Sequence, residues 1–429
     1  MTKTALLTGV ALTAPSRIDP HPFAPLAERL LYVSPAGGML GTTAARALPR
    51  RDGGPPRRDR IGFGGRVMHP ATELVRFDAA PGDPHAPCST PIYQTATFAQ
   101  PDPLVGGSYD YTRSGNPTRS VLEQQLALLE GADRAFTFTT GMAALALITR
   151  LVPAGGRVLC GDDLYGGSWR YLEQVAAPMG LRTGSVDPND LEALERELAV
   201  GADFLLIETP TNPRLRVVDL LAVAARCRAH GCRLVVDNSL MTPLRQKPLA
   251  QGADLVMHSA TKFLGGHADL SAGVLAVNDP QLAERIAFLQ NAEGTALAPF
   301  ECWLLLRGLK TLHLRLAQQE RNAAALAELL QASPLVTRVR AAGTLVCFET
   351  GSVETSAAIL RLLECFTIAV SFGSVASTAS LPCRMSHASI PAEERRARAL
   401  PEDLVRLSAG IEQTEDLAHD LQQALRRIG

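Results

Sequence analysis

Residues 253 to 273 read ADLVMHSATKFLGGHADLSAG. An apolar run, Leu255 to Met257, passes through Ser259, Ala260 and Thr261 into Lys262 and then into glycines, with no acid until Asp269. Lysine is among the residues least often fully buried. One set at the end of what reads as a buried strand, with hydroxyls before it and no carboxylate beside it, is a group kept for chemistry. Burial or a neighbouring cation depresses an amine's pKa and turns it into a nucleophile able to form a Schiff base.

The surrounding chain gives that strand its setting. From about residue 119, segments of helical spacing (RSVLEQQLALLEG, TTGMAALALITRL, DLLAVAARCRAHG) alternate with short apolar runs (RVLCGDD, ADFLLIET, RLVVDNS, ADLVMHS). Strands separated by helices imply βαβ units, right-handed crossovers and a mostly parallel sheet covered on both faces, an α/β fold. A long helical region over about 298–333 bridges to a mixed C-terminal portion that ends in TEDLAHDLQQALRRI. Ligands of such sheets sit at the C-terminal ends of the strands. Those ends carry Asp162 and Asp163, Glu208 to Asn212, Asp237 and Asn238, and Ser259 to Lys262, so one pocket would hold an aspartate, hydroxyls and a lysine.

Composition narrows the function classes. The 429 residues are 46% hydrophobic and 20% charged, which fits an ordinary globular protein of two or three domains. A formal charge of -1 leaves no footprint for nucleic acid or anionic membrane, and no apolar run nears the roughly 20 residues a bilayer span needs. The eight cysteines form no CxxC pair; Cys227 and Cys232 flank a histidine without a second cluster, so no metal is expected. Residues 1–65 differ from the rest, with nine Lys/Arg against four acids and the stretch ALPRRDGGPPRRDR, which cannot bury a face. They read as a disordered leader: an organellar transit peptide, an untargeted tail, or sequence upstream of a true start at Met68. The location expected is cytoplasmic, or plastid if the leader is a transit peptide. A secretory signal fits less well.

No GxGxxG opening a βαβ unit, GxxxxGK[ST], HExxH or GxSxG is present, which removes the common nucleotide, zincin and hydrolase readings. The aldehyde cofactor that uses a buried lysine is pyridoxal phosphate, whose ring nitrogen pairs with an acid. Asp237 ends a strand before Lys262, and Gly141 and Met142 open a helix whose free N–H groups can hold a phosphate. Ser259 and Thr261 add hydroxyl donors.

From about Arg66 onward the chain resembles the Cys/Met-metabolism family of pyridoxal-phosphate enzymes, and within it the plant-type cystathionine β-lyases. The matching segments include STPIYQTATF, YDYTRSGNPTR, GMAAL, DDLYGGSWR, ETPTNPR, VDNSLMTP, HSATKFLGGHADLSAGVLAV, APFECWLLLRGLKTL, IAVSFGS and MSHASIPAEERRARALPEDLVRLSAGIE, in order. The resemblance implies the fold-type I architecture, aspartate aminotransferase-like. It would have an N-terminal arm over 66–116 reaching a partner subunit, a cofactor-binding domain over 117–309 and a smaller α+β domain over 310–429. It implies Lys262 as the Schiff-base lysine, Asp237 at the pyridine nitrogen, Tyr165 stacked on the ring, and Gly141, Met142, Ser259 and Thr261 around the phosphate. Tyr111 and Arg113 would join them from the neighbouring subunit of a homodimer, itself half of a tetramer. Asn212 would approach the ring hydroxyl, and Arg406, with Ser371, would hold the substrate carboxylate through a bidentate pair.

The activity so implied is β-elimination of L-cystathionine to homocysteine, pyruvate and ammonia, with Lys262 taking the Cα proton and Lys262 or Tyr111 serving the leaving sulfur. Gly167 stands where methionine γ-lyases tend to carry cysteine, and Ala376 where many γ-acting relatives carry glutamate; both favour β-cleavage. The alternatives are a cystathionine γ-lyase or γ-synthase, or a weakly active paralogue that binds the cofactor. Two departures stand out. After VTRVRAAG the family normally runs longer before the strand TLVCFET, which puts the packing of the C-terminal domain in question. Thr140 replaces the usual serine in the phosphate turn.

Overall fold

A strand such as Phe204–Glu208 is apolar along almost its whole length because it is covered on both sides. In the computed structural model, which describes residues 68–77, 83–388 and 390–429, it is β4 of a seven-stranded sheet. The others are β1 (Arg134–Phe138), β2 (Arg157–Gly161), β3 (Arg182–Val186), β5 (Arg233–Asp237), β6 (Leu255–Ser259) and β7 (Gly273–Val277), in the order β1-β7-β6-β5-β4-β2-β3. The pairs β2–β3, β2–β4, β4–β5 and β5–β6 are parallel. β7 runs antiparallel to both β6 and β1, because the turn after Lys262 returns the chain without a crossover helix.

Alternation along each strand sorts the side chains between two cores. Val236 and Val256 face one cluster, with Leu122, Leu126 and Leu129 of the helix Pro117–Glu130 and Leu305 and Leu309 of the helix Pro299–Leu309. Val235, Leu255 and Met257 face the other, with Leu145 and Ile148 of the helix Gly141–Arg150. The strand ends named from sequence at β2, β4, β5 and β6 therefore open on one edge of the sheet.

A second sheet has five strands: β8 (Arg338–Ala342), β9 (Leu345–Glu349), β10 (Thr367–Ile368), β11 (Thr378–Ser380) and β12 (Val405–Ser408), in the order β10-β11-β12-β9-β8. The helices Leu312–Gln331, Val353–Leu362 and Thr414–Ile428 pack on it around Phe348, Leu407, Leu417 and Leu421. The shortened segment closes as a hairpin. Ala342 pairs with Leu345 across a two-residue turn, and Gly343 takes φ +56°, a conformation glycine adopts at little cost. The missing residues thus leave a tight turn, and Leu345 to Phe348 remain fully packed in the sheet.

The helical region over 298–333 is two helices, Pro299–Leu309 and Leu312–Gln331. At the break the Gly308 carbonyl accepts from Thr311 N at 3.3 Å and from Arg315 Nη2 at 2.8 Å, so a tight turn and a side chain share it. The leader of residues 1–65 lies outside the described residues. Among those described, no helix is long and apolar enough to cross a membrane.

Candidate active site

The turn after β6 carries Lys262 into a cavity of about 310 Å³ at the strand-end edge of the first sheet. Backbone bonds from Lys262 N to Ser259 O and from Gly265 N to Ala260 O shape that turn. Buried Arg315 fixes it from below by donating to the Phe263 carbonyl at 2.8 Å. The lysine amine donates to Ser371 Oγ at 2.6 Å and lies 4.7 Å from the centre of the Phe372 ring. Burial, then the positive charge of Arg406, pulls its pKa down to about 8. An amine with that pKa has a substantial neutral fraction near physiological pH.

Asp237, at the end of β5, accepts from Ser239 N at 2.9 Å and Ser239 Oγ at 2.6 Å. Burial raises its pKa, while these bonds and the nearby charges of His258 and Lys262 pull the other way. Ser239 Oγ also accepts from Ser259 N at 2.6 Å, which ties the ends of β5 and β6 together. Glu208, at the end of β4, is buried beside them and accepts from Tyr165 N at 3.1 Å. Desolvation, then the charges of Asp237 and Asp163, raises its pKa well above the usual carboxylate range.

At another corner, the helix Gly141–Arg150 begins against Ser259. A Cβ on Gly141 would stand 3.0 Å from Ser259 Cβ, a contact that would push the two elements apart, so glycine suits this close approach. The Thr140 hydroxyl caps the helix by accepting from Ala143 N at 2.9 Å, so threonine supplies the capping oxygen as serine would. Among the described residues no protein acceptor takes the N–H of Gly141 or Met142. Two free N–H groups at a helix start, with the Ser259 and Thr261 hydroxyls beside them, suit a phosphate.

The second sheet closes the cavity. Arg406, on β12, is fully buried; it donates from Nη1 to Asn212 Oδ1 at 2.7 Å and from Nη2 to the Val370 and Ser371 carbonyls at 3.3 and 3.2 Å. Its guanidinium carbon lies 4.9 Å from the Phe372 ring centre, so that ring carries both Arg406 and Lys262. A buried guanidinium with acceptors on one side and a cavity on the other suits a carboxylate ligand.

Lys262, Asp237, Tyr165, Gly141, Met142, Ser259, Thr261, Asn212 and Arg406 thus line one cavity, and Ser371 reaches it through the lysine amine. Tyr111 and Arg113 do not join them. They border a separate hollow with Gln94, Arg119 and Pro299, where the Arg113 guanidinium lies 5.6 Å from the Tyr111 ring centre. Asp162 and Asp163 are also withdrawn from the cavity. Asp162 pairs with Arg214 and Arg216, and Asp163 with Arg214, at 2.9 to 3.1 Å, because the loop after β4 brings two arginines over the end of β2.

Ser239, Phe372 and His387 carry no role in the sequence pattern, where Glu208 is only a strand end. Ser239 sits two places after Asp237, in the register for a serine to bond an aspartate locally, which was a readable signal. Buried His387 meets the Tyr165 ring edge-on at 6.3 Å, and desolvation drops its pKa to about 4. Nothing local in the sequence places it there.

The donor set, the glycine-lined phosphate corner and the amine without a paired carboxylate together fit pyridoxal phosphate. A sequence model of the Cys/Met metabolism PLP-dependent enzymes matches residues 71–426. The chain belongs to this family. It is a pyridoxal-phosphate-dependent lyase of sulfur amino-acid metabolism, and its fold is the α/β, fold-type I one. The chain is 48% identical over 374 residues to a chloroplastic cystathionine beta-lyase of Arabidopsis thaliana, covering 83% of this chain and 80% of that protein. It is also 42% identical to a cystathionine gamma-lyase of Dictyostelium discoideum over 78% of this chain and 92% of that one. Among solved structures it matches the cystathionine gamma synthase of Xanthomonas oryzae in complex with cystathionine, at a TM-score of 0.82 and 36% identity. That match covers 85% of this chain and 99% of the other.

Proposed function

We propose that the chain is a cystathionine β-lyase acting in methionine biosynthesis. Its reaction takes L-cystathionine and water to homocysteine, pyruvate and ammonia. The observation that carries the reading is the pairing, in one cavity, of a nucleophilic amine at Lys262 with a buried carboxylate-binding arginine at Arg406. The β-carbon as the site of cleavage is supported by the likeness to plant β-lyases and by Gly167 and Ala376. Gly167 has a structural correlate: a Cβ there would meet Tyr165 Cε1 at 2.3 Å, so this tyrosine rotamer excludes any side chain at 167.

Bound pyridoxal phosphate supplies an aldehyde that takes up an amino group and a ring that accepts the electron pair left at Cα. Gly141, Met142, Ser259 and Thr261 would hold its phosphate, Tyr165 would contact the ring, and Asp237 would keep the ring nitrogen protonated. Asn212, already bonded to Arg406, would serve the ring hydroxyl. Arg406 fixes the substrate carboxylate. The Lys262 amine would take the Cα proton, and a base with its pKa near 8 suits that transfer. Lys262, or Tyr111 supplied by a second copy, hands a proton to the leaving homocysteine sulfur.

The placement of Tyr111 and Arg113 outside the cavity is in keeping with a homodimer of composite sites, and the family resemblance adds a pairing of dimers into a tetramer. Arg113→Ala and Lys262→Ala chains, each inactive alone, are then expected to regain about a quarter of wild-type activity when refolded together, since mixed pairs own one intact site. Mixed pairs without activity would refute the shared site. The test of the reaction itself is the keto acid formed from L-cystathionine. Pyruvate is expected; 2-oxobutyrate would make the protein a γ-lyase, and neither product would leave a cofactor-binding paralogue.

A further inference from the structure

On the face of β6 turned away from the cavity, an otherwise apolar strand holds His258, 1% exposed. Its Nε2 lies 2.5 Å from Oε1 of Glu130, the equally buried last residue of the helix Pro117–Glu130. Burying two ionisable groups is costly, and apolar residues of like volume usually stabilise a core as well or better. The connections of the pair go beyond packing. Asn238 Nδ2 donates to Glu130 Oε1 at 3.4 Å and to the Gln246 carbonyl at 3.1 Å. Gln246 Nε2 donates back to Asn238 Oδ1 at 3.1 Å and to the Thr209 carbonyl at 3.3 Å. His258, Asn238 and Thr209 each stand one residue from a cavity wall residue: Ser259, Asp237 and Glu208 respectively. The same strand ends are tied on the cavity side by the bonds from Ser259 N to Ser239 Oγ and from Ser239 Oγ to Asp237 Oδ1.

We propose that the buried Glu130–His258 pair is a positioning element of the cofactor site, clamping the ends of β4, β5 and β6 from the far face of the sheet so that Asp237 and Ser259 keep their places. The inference rests on the reading of Asp237 and Ser259 as cofactor ligands.

The test compares wild type with Glu130→Gln and with the double variant Glu130→Leu/His258→Phe, which removes both ionisable groups and leaves neither buried without the other. Three readouts are taken: the melting temperature of the cofactor-free protein, its Kd for pyridoxal phosphate, and the absorbance of the bound cofactor as a function of pH. The expectation is a folded double variant whose Kd rises about tenfold, an effect within the range that members of one network show, with an altered cofactor spectrum. Glu130→Gln should shift both readouts in the same direction by less. Kd and spectrum equal to wild type in either folded variant would overturn the proposal. Failure of wild type itself to bind the cofactor at Lys262 would instead overturn the reading beneath it.

Discussion

The seven-stranded sheet brings three adjacent strand ends, at β4, β5 and β6, and a helix start to the cavity, whereas the five-stranded sheet brings one strand, β12, and the loop between β10 and β11. The first contributes Asp237, Ser259, Thr261 and Lys262, groups suited to the cofactor. The second contributes Arg406, Ser371 and Phe372, suited to the substrate's carboxylate end. The lysine amine joins the two sheets through its bond to Ser371. Cofactor retention and substrate affinity are therefore expected to separate, with variants in the two sheets failing in different ways.

The largest effect is expected from Lys262→Ala, which should lower turnover by at least about 10³-fold while the protein still folds and retains cofactor through its other contacts. Steady-state pyruvate release near wild type would remove the lysine from the chemistry. In the second sheet, Arg406→Lys should leave cofactor binding intact and raise KM for cystathionine by about tenfold to a hundredfold, the worth of one or two charge-assisted bonds. If cofactor affinity fell in step with KM, the two sheets would not be separable. Gly167→Ala should displace the Tyr165 ring and lower kcat/KM by roughly tenfold, as small-to-large changes in tight sites do. Unchanged kinetics would show that the ring position is not constrained there.

The smallest effect sharpens the link between the sheets. Neutral Lys262 is the form that captures an aldehyde, so uptake of pyridoxal phosphate by the cofactor-free protein should speed up as pH rises through about 8. Arg406 lowers that pKa, so Arg406→Met should move the midpoint of the rate profile upward. A midpoint unaffected by this change would mean that the charge of Arg406 does not reach the amine.

The same contrast marks what could be read in the sequence. β2, β4, β5 and β6 were legible because they are short apolar runs buried on both faces, and their end residues follow directly from the strand boundaries. β3 was missed because it is an edge strand with a glycine in its middle and mostly partial exposure, and β8 for the same want of burial. The antiparallel direction of β7 depends on the tertiary course of the turn after Lys262, which no local period encodes. In the site, the lysine, the aspartate and the helix start were legible from residue chemistry. The bond from Arg406 to Asn212 and that from Lys262 to Ser371 join residues far apart in the chain, and only the packing of the two sheets creates them.

Lys262 is expected to be the amine that bonds the cofactor aldehyde. The chain has four lysines, Lys3, Lys247, Lys262 and Lys310, so borohydride reduction of the holoenzyme followed by peptide mapping tests the claim directly. The pyridoxyl group is expected on the peptide that contains Lys262 and on no other. Its recovery on Lys247 or Lys310, or its absence from a holoenzyme that turns over cystathionine, would take Lys262 out of that role.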